Sequence, residues 1–260
     1  MLVLLPPSEG KTAPPTGDPV DLAGLWGRRL TARRRSVLAA LVRVSRQRDA
    51  VTVLGVGASL GDEVARNVRL RREPAAPARE VYTGVLYGAA GLDRLPDDDA
   101  RARAEAWVRT VSALWGAVGP ADRIPAYRLS MGTDLPGVGP LAAAWRAPLA
   151  AELDAWAGRD LVVDCRSAPY AAAWRVPTGG PGHVTVSVVR EVSGRRSVVS
   201  HSAKHTRGVL TRHLVTRDGT EPRTPEDLRT AAGELVGEGV VDVELTPGPR
   251  SSHVLTLVVP

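Results

Sequence analysis

Only two of the 34 basic residues in this chain are lysines, Lys11 and Lys204; the other 32 are arginines. Phe is absent, Ile and Asn occur once each (Ile124, Asn67) and Tyr four times. All of these have AT-rich codons, so the coding bias runs towards G and C and part of the arginine is mutational. A lysine that persists under such a bias marks a place where a compact, titratable ammonium is needed and a planar guanidinium will not serve. Lys11 lies in Pro6-Pro7-Ser8-Glu9-Gly10-Lys11-Thr12, directly after an apolar run. The closing Gly-Lys-Thr has the text of a phosphate loop. That loop needs a glycine five residues before Gly10, where Leu5 stands, and Pro14-Pro15 block the helix that should follow. What remains is a loop at a strand end that presents Ser8, Glu9 and Lys11.

Lys204 lies in SHSAKHTRGVLTR, residues 200–212, where strand gives way to helix. Ser202 is the expected N-cap, which puts Lys204 in the first turn with Arg207 close behind. Cations there oppose the helix dipole unless an anion sits among them, so phosphate or carboxylate is the implied ligand. His201 and His205 are four apart, but their segment crosses from strand to helix. His183, His213 and His253 are scattered, so no metal site is expected, and no cofactor either. Cys165 ends an apolar strand and reads as a buried, inert thiol.

A third signal is Gly55-Val56-Gly57, flanked by arginine-rich helical sequence. Such a hairpin between two helices can turn backbone N–H groups towards a nucleic-acid phosphate without reading bases. Gly137-Val138-Gly139 repeats the pattern, but strand-like sequence precedes it, so the first helix is missing.

The elements that must position these residues follow from hydrophobic periodicity. Strands are expected at 2–5, 124–130, 160–165, 183–192, 195–202, 239–245 and 253–259, and helices at 36–48, 59–71, 99–117, 140–157, 203–216 and 225–236. Ser193-Gly194 reads as the turn of an antiparallel hairpin, and Asp97-Asp98-Asp99 as an acidic helix start. Strands and helices mix without regular alternation. The expectation is an α+β fold, a central mixed β-sheet surrounded by helices rather than a doubly wound one, with a helix-hairpin-helix-like helical insertion at about 20–72. No stretch reads as a flexible linker, so residues 1–260 are expected to form one domain.

Composition narrows the classes. An apolar content of 43% with 24% charged residues excludes a disordered or collagen-like chain. No apolar run is long enough to span a membrane, and the N-terminus lacks the basic region and cleavage site of a secretory leader. With a single cysteine no intramolecular disulfide can form, and a cytoplasmic location is expected. A net charge of +6 permits a nucleic-acid or phosphate partner.

Taken together, LVLLPPSEGKT, VYTGVLY at 81–87, IPAYRLSMGT at 124–133 with LAAAW after it, LVVDCRSAPY at 161–170 and SHSAKHTRGVLTRHL at 200–214 resemble the YaaA family, the peroxide stress protein family. The resemblance implies a compact fold with a central mixed sheet, a helix-hairpin-helix element, a positively charged cleft and DNA binding. It also implies a cytoplasmic role in limiting oxidative damage when hydrogen peroxide rises, by lowering the free iron that feeds hydroxyl-radical chemistry. The matching positions are Ser8, Lys11, Tyr82, Thr83, Gly84, Tyr127, Arg128, Met131, Gly132, Ser167, Tyr170, Lys204, Arg207 and Gly208. Both lysines are among them. One departure is Pro169, where the family pattern usually has an acidic residue just before the tyrosine.

Two readings follow. In the first, the protein binds the DNA phosphate backbone without sequence specificity. Ser8, Lys11, Arg128, Ser202, Lys204 and Arg207 would form an anion site and Gly55, Val56 and Gly57 the DNA hairpin. In the second, it is an enzyme acting on a small molecule bearing phosphate or carboxylate, with Lys11, Lys204 and Tyr82 as candidate catalytic groups. Both expect Lys11, Arg128 and Lys204 to converge on one cleft.

Overall fold

The computed structural model of the chain describes residues 1–192, 195–198 and 200–260, with the side chains of 198, 200 and 201 left aside. Its strands, in chain order, are β1 (Leu2–Leu5), β2 (Ala76–Pro77), β3 (Val108–Ser112), β4 (Gly116–Val118), β5 (Arg123–Ile124), β6 (Asp134–Leu135), β7 (Gly139–Pro140), β8 (Val162–Asp164), β9 (His183–Val192), β10 (Arg195–Val198), β11 (Asp242–Pro247) and β12 (His253–Val259). The helices are α1 (Thr31–Val44), α2 (Ala50–Val53), α3 (Gly61–Asn67), α4 (Ala78–Val81), α5 (Val85–Ala90), α6 (Asp98–Trp107), α7 (Leu141–Ala157), α8 (Ala168–Ala171), α9 (Ser200–Thr216) and α10 (Pro225–Gly233).

The main sheet runs β11-β12-β9-β8-β1-β3-β4, with β10 on β9. It is mixed, as the sequence predicts: β3 with β4, β9 with β10 and β11 with β12 are antiparallel. The α+β expectation holds, and the centre of the sheet is more regular than the sequence suggests. Its five central strands, β12-β9-β8-β1-β3, are all parallel. In chain order they are laid down 2-1-3-4-5, the order of open sheets in which the winding reverses beside the first strand. Every residue of β1 is buried, as a central strand covered on both faces requires.

Two segments differ from the sequence reading for identifiable reasons. The helix expected at 99–117 stops at Trp107, and Val108–Ser112 becomes the central strand β3. All five of its residues are buried, but its two valines, Val108 and Val111, stand three apart, which is the spacing of a helix face and not the alternation of a strand. Of the strand expected at 124–130, only Ile124 is paired, in the short ladder of β5 with β2; the rest is irregular. The acidic start of α6 is as expected: the Asp97 carboxylate accepts the Ala100 N–H at 2.7 Å. The Ser193-Gly194 turn lies outside the described residues, although β9 and β10 on either side of it pair from Val192 with Arg195.

Helix α1 is fastened to the sheet by a buried arginine. Arg34 of α1 is fully buried and donates to the Trp115 and Ala117 carbonyls at 2.8 Å and to those of Trp26 and Gly27 at 2.6 and 3.3 Å.

Candidate functional site

β1 ends where Pro6 and Pro7 remove backbone donors and the chain leaves the sheet. The following loop is tied to the segment before α5. Thr12 N–H donates to the Val81 carbonyl at 3.0 Å and Thr83 N–H to that of Gly10 at 3.3 Å, with Lys11 and Tyr82 forming a bridge. Lys11 is thereby turned inward. Its Nζ donates to the Ser8 carbonyl at 2.7 Å and lies 4.4 Å from the ring centre of Tyr127 and 5.8 Å from that of Tyr82. Burial, and then the neighbouring Arg128 charge, push its pKa down to about 7 against the opposing pull of Glu63 and Glu9.

Behind Lys11 is a chain of buried hydroxyls. Ser112 Oγ accepts the N–H groups of Leu114 and Trp115 at 3.2 and 3.0 Å, which leaves its proton for Tyr127 Oη at 2.6 Å. Tyr127 and Tyr82 hydroxyls are 3.0 Å apart. Burial drives both phenols well above their ordinary range, so they stay protonated. Tyr82 is enclosed behind Lys11 and is not on the pocket wall.

Arg128 is held by α3. The Asn67 carboxamide bonds both backbone groups of Arg128, at 2.8 and 2.9 Å, and Glu63 Oε2 accepts its Nε at 2.8 Å and Nη2 at 2.7 Å. The sequence reading did not find Asn67 or Glu63. A signal existed: Asn67 is the only asparagine in the chain and survives the same codon bias that singled out the lysines.

On the far side, Arg207 of α9 donates twice to the Val186 carbonyl at 2.8 and 3.2 Å, and Lys204 is exposed one turn earlier. The helix begins at Ser200, so Ser202 is not its N-cap. Ser202 lies within the first turn, its carbonyl accepting the Thr206 hydroxyl at 2.9 Å, and is absent from the pocket wall. Lys204 therefore opens the second turn, where the helix-end field has faded. Position in the pocket, not the dipole, is what recommends it.

These pieces enclose a pocket of about 660 Å³. Its walls are residues 6–11 after β1, the hairpin 55–57 with Leu60, residues 84–87, residues 128–130, Ser167, Pro169 and Tyr170 after β8, and Lys204 and Arg207. Lys11, Arg128, Lys204, Arg207 and Ser8 are thus brought together; Ser202 and Tyr82 are not. The loops following β1 and β8 flank the point where the winding of the sheet reverses, the usual crevice for ligands in parallel sheets. Burial pushes Tyr170 up to about 12 despite hydrogen bonding to Met131 and Ser130. A shallower hollow of about 320 Å³ among Val20, Leu22, Arg35, Leu38 and Arg71 holds none of the candidate residues.

The pocket is less cationic than its residue types suggest. Arg128 is neutralised by Glu63, burial weakens the hold of Lys11 on its proton, and Glu9 is on the same wall. Lys204 and Arg207 carry most of the positive charge.

The hairpin also differs from expectation. The sequence places it far from Lys204, yet both line this pocket. Gly55 N–H donates to the Thr52 carbonyl at 3.0 Å and Val56 N–H to that of Val51 at 3.1 Å. Among the described residues, only Gly57 of the three keeps its N–H for a ligand. Gly55 has φ +65°, whereas Gly57, at φ −68° and ψ 152°, is in a conformation open to any residue. The second glycine pair, 137–139, is the turn joining β6 to β7. Among the described residues no group of three or more His, Cys, Asp or Glu side chains is placed to hold a metal, and no helix is long and apolar enough to cross a membrane.

Fold and site together define an open mixed-sheet protein with a pocket at the reversal point of its parallel centre, walled by Lys11 of the loop after β1 and by Lys204 and Arg207 of α9. The model of the peroxide stress protein YaaA family matches residues 1–234, and the chain belongs to that family. It is 47% identical to a UPF0246 protein of Streptomyces coelicolor over 90% of both chains. It is 39% identical to one of Corynebacterium efficiens over the full length of both, and 32% identical to one of Cereibacter sphaeroides over 88% of this chain and 90% of the relative.

Proposed function

We propose that the protein is a cytoplasmic peroxide-stress protein that binds DNA through phosphates, without sequence specificity, and takes one phosphate-bearing nucleotide unit into the pocket. In this role it limits oxidative damage by helping to keep free iron low. One observation carries the DNA reading: Gly55, Val56 and Gly57 line the same pocket as Lys11, Lys204 and Arg207. A hairpin N–H and two cations on one concave surface suit a phosphate backbone that is held but not read.

The test is duplex binding by fluorescence anisotropy. With Lys204 and Arg207 as the pocket cations that have no carboxylate partner among the described residues, about two phosphates are neutralised and the log-log salt slope is expected near −1.8; all four pocket cations would give about −3.6. Affinity that is flat from low to moderate salt overturns the reading. Gly57→Val keeps the backbone unstrained, since an added β-carbon meets nothing nearer than Ser59 Oγ at 3.8 Å. It is expected to weaken duplex binding about tenfold or more, or 1.4 kcal/mol, by blocking approach to the Gly57 N–H. Gly233→Val, at an open position with ordinary φ, is a cleaner control than Gly139, whose φ of +89° strains any side chain. Equal binding by wild type and the Gly57 variant makes the hairpin structural only.

A second reading, an enzyme acting on a small phosphate- or carboxylate-bearing molecule, is favoured by one observation: an amine that titrates near neutrality on the wall of a concave site.

A further inference from the structure

We propose that Lys11 is a nucleophile that condenses with an aldehyde or ketone carried by an anionic ligand, whose charge is held by Lys204 and Arg207 across the pocket. The proposal rests on the pocket being an anion site, the reading given above.

Geometry selects Lys11. Lys11 lines the pocket, its Nζ fixed by the Ser8 carbonyl at 2.7 Å and backed by the Tyr127 ring at 4.4 Å, which replaces water with an aromatic face. Lys204 is exposed on α9, where water solvates its ammonium. The remaining amine, the N-terminal ammonium, is buried against Asp160 and Glu221. Arginine cannot substitute, because the guanidinium stays protonated and has no lone pair to offer. The charged and titratable groups facing Lys11 are Arg128 and Glu63 from the α3 side, Glu9 on its own loop, and the phenols of Tyr82 and Tyr127. Arg128 and burial favour the neutral amine; the two carboxylates favour the ammonium and are outweighed.

The step balances without an oxidant or reductant. The Nζ lone pair forms a C–N bond to the carbonyl carbon, and the carbonyl π pair moves to oxygen, which takes up a proton. The nitrogen loses one proton, the carbinolamine C–O bond breaks with departure of water, and a protonated imine remains on Lys11. Hydrolysis reverses each event.

Two sources carry this chemistry, a base-free deoxyribose in DNA, whose C1′ aldehyde form is flanked by phosphates, and a free phosphorylated aldehyde. The experiment therefore has two arms: a duplex with one abasic position, and pyridoxal 5′-phosphate. Each is incubated with the whole chain, reduced with borohydride to a stable secondary amine, and mapped by mass spectrometry. With two lysines in the chain the assignment is direct. The expected result is an adduct on Lys11, at least tenfold more than on Lys204, forming faster as pH rises to about 7 and levelling off above it. An ordinary lysine would gain up to about pH 10. Lys11→Met should abolish trapping while circular dichroism reports an intact fold. Adduct on Lys204, equal labelling of both lysines, or no trapping in either arm overturns the proposal. If the duplex binds without trapping, the DNA reading survives the loss of this inference. If pyridoxal phosphate is trapped on Lys11 and the duplex does not bind, the inference stands and the DNA reading falls.

Discussion

Replacing Gly208 by valine is expected to lower the thermal midpoint by roughly 2–12 °C and to remove ligand binding before the fold is lost. Gly208 is where α9 presses onto α5. A β-carbon there would overlap the Leu86 carbonyl oxygen and lie 2.8 Å from Ala89 Cβ and 3.0 Å from Ala90 N. Two of these three obstacles are backbone, which cannot swing aside as a side chain does. Overpacking costs about 1–3 kcal/mol and more when backbone must move. In a chain of this size each kcal/mol is worth roughly 2–4 °C. The relief available is for α9 to lift from α5, and α9 carries Lys204 and Arg207, so the pocket widens on its cationic side. Gly208→Ala, which lacks the branch and gains helix propensity, should fall in the same direction by less. A melting curve unchanged by the alanine would mean that the two helices separate at no cost and that Gly208 positions nothing.

Arg34→Met should cost about 3–5 kcal/mol, the range for stripping one partner from a buried charged network. Four carbonyls, those of Trp26, Gly27, Trp115 and Ala117, now take its N–H groups at 2.6–3.3 Å. Methionine fills the space and satisfies none of them, and each carbonyl left dry costs about 1–3 kcal/mol unless water enters. Burial lowers the Arg34 pKa to about 10 against the pull of Asp122 and Glu152, which still leaves the guanidinium charged at neutral pH. Arg34→Lys should recover only part of the loss, because one ammonium cannot reach carbonyls on both sides of a planar fork. Denaturant melts of the three proteins provide the comparison. Equal stability of wild type and Arg34→Met would make the network dispensable.

The sequence is most informative where side-chain chemistry and periodicity agree. β1, β9, β12 and α7 lie within a residue or two of where their patterns put them. The lysine filter led to two residues that share one pocket. Buried polar residues misled the reading: in Val108–Ser112 the two valines stand three apart, a helical spacing, while Arg109, Thr110 and Ser112 are buried with them, so the strand beside β1 read as the tail of a helix. The hairpin posed a different problem. Its glycines are visible, but which of them needs the left-handed region depends on φ, and Gly55, not Gly57, turned out to be constrained. Pairing was hidden as well. That Arg128 is neutralised by Glu63, 65 positions earlier, follows from where α3 packs and from nothing in the local text.

The pocket draws its walls from stretches beginning at Pro6 and ending at Arg207. β1, which precedes the other strands of the sheet in chain order, pairs on one side from Val3 with Val108 and on the other from Val3 with Val163. Its partners thus emerge from the ribosome long after it does, and closing such loops carries an entropic cost before any contact repays it. High contact order of this kind slows folding. The nascent chain must hold an apolar LVLL segment without both neighbours until β8 has been made. A fragment ending before α9 lacks Lys204 and Arg207 and cannot assemble the site, so ligand binding should appear only once α9 is present.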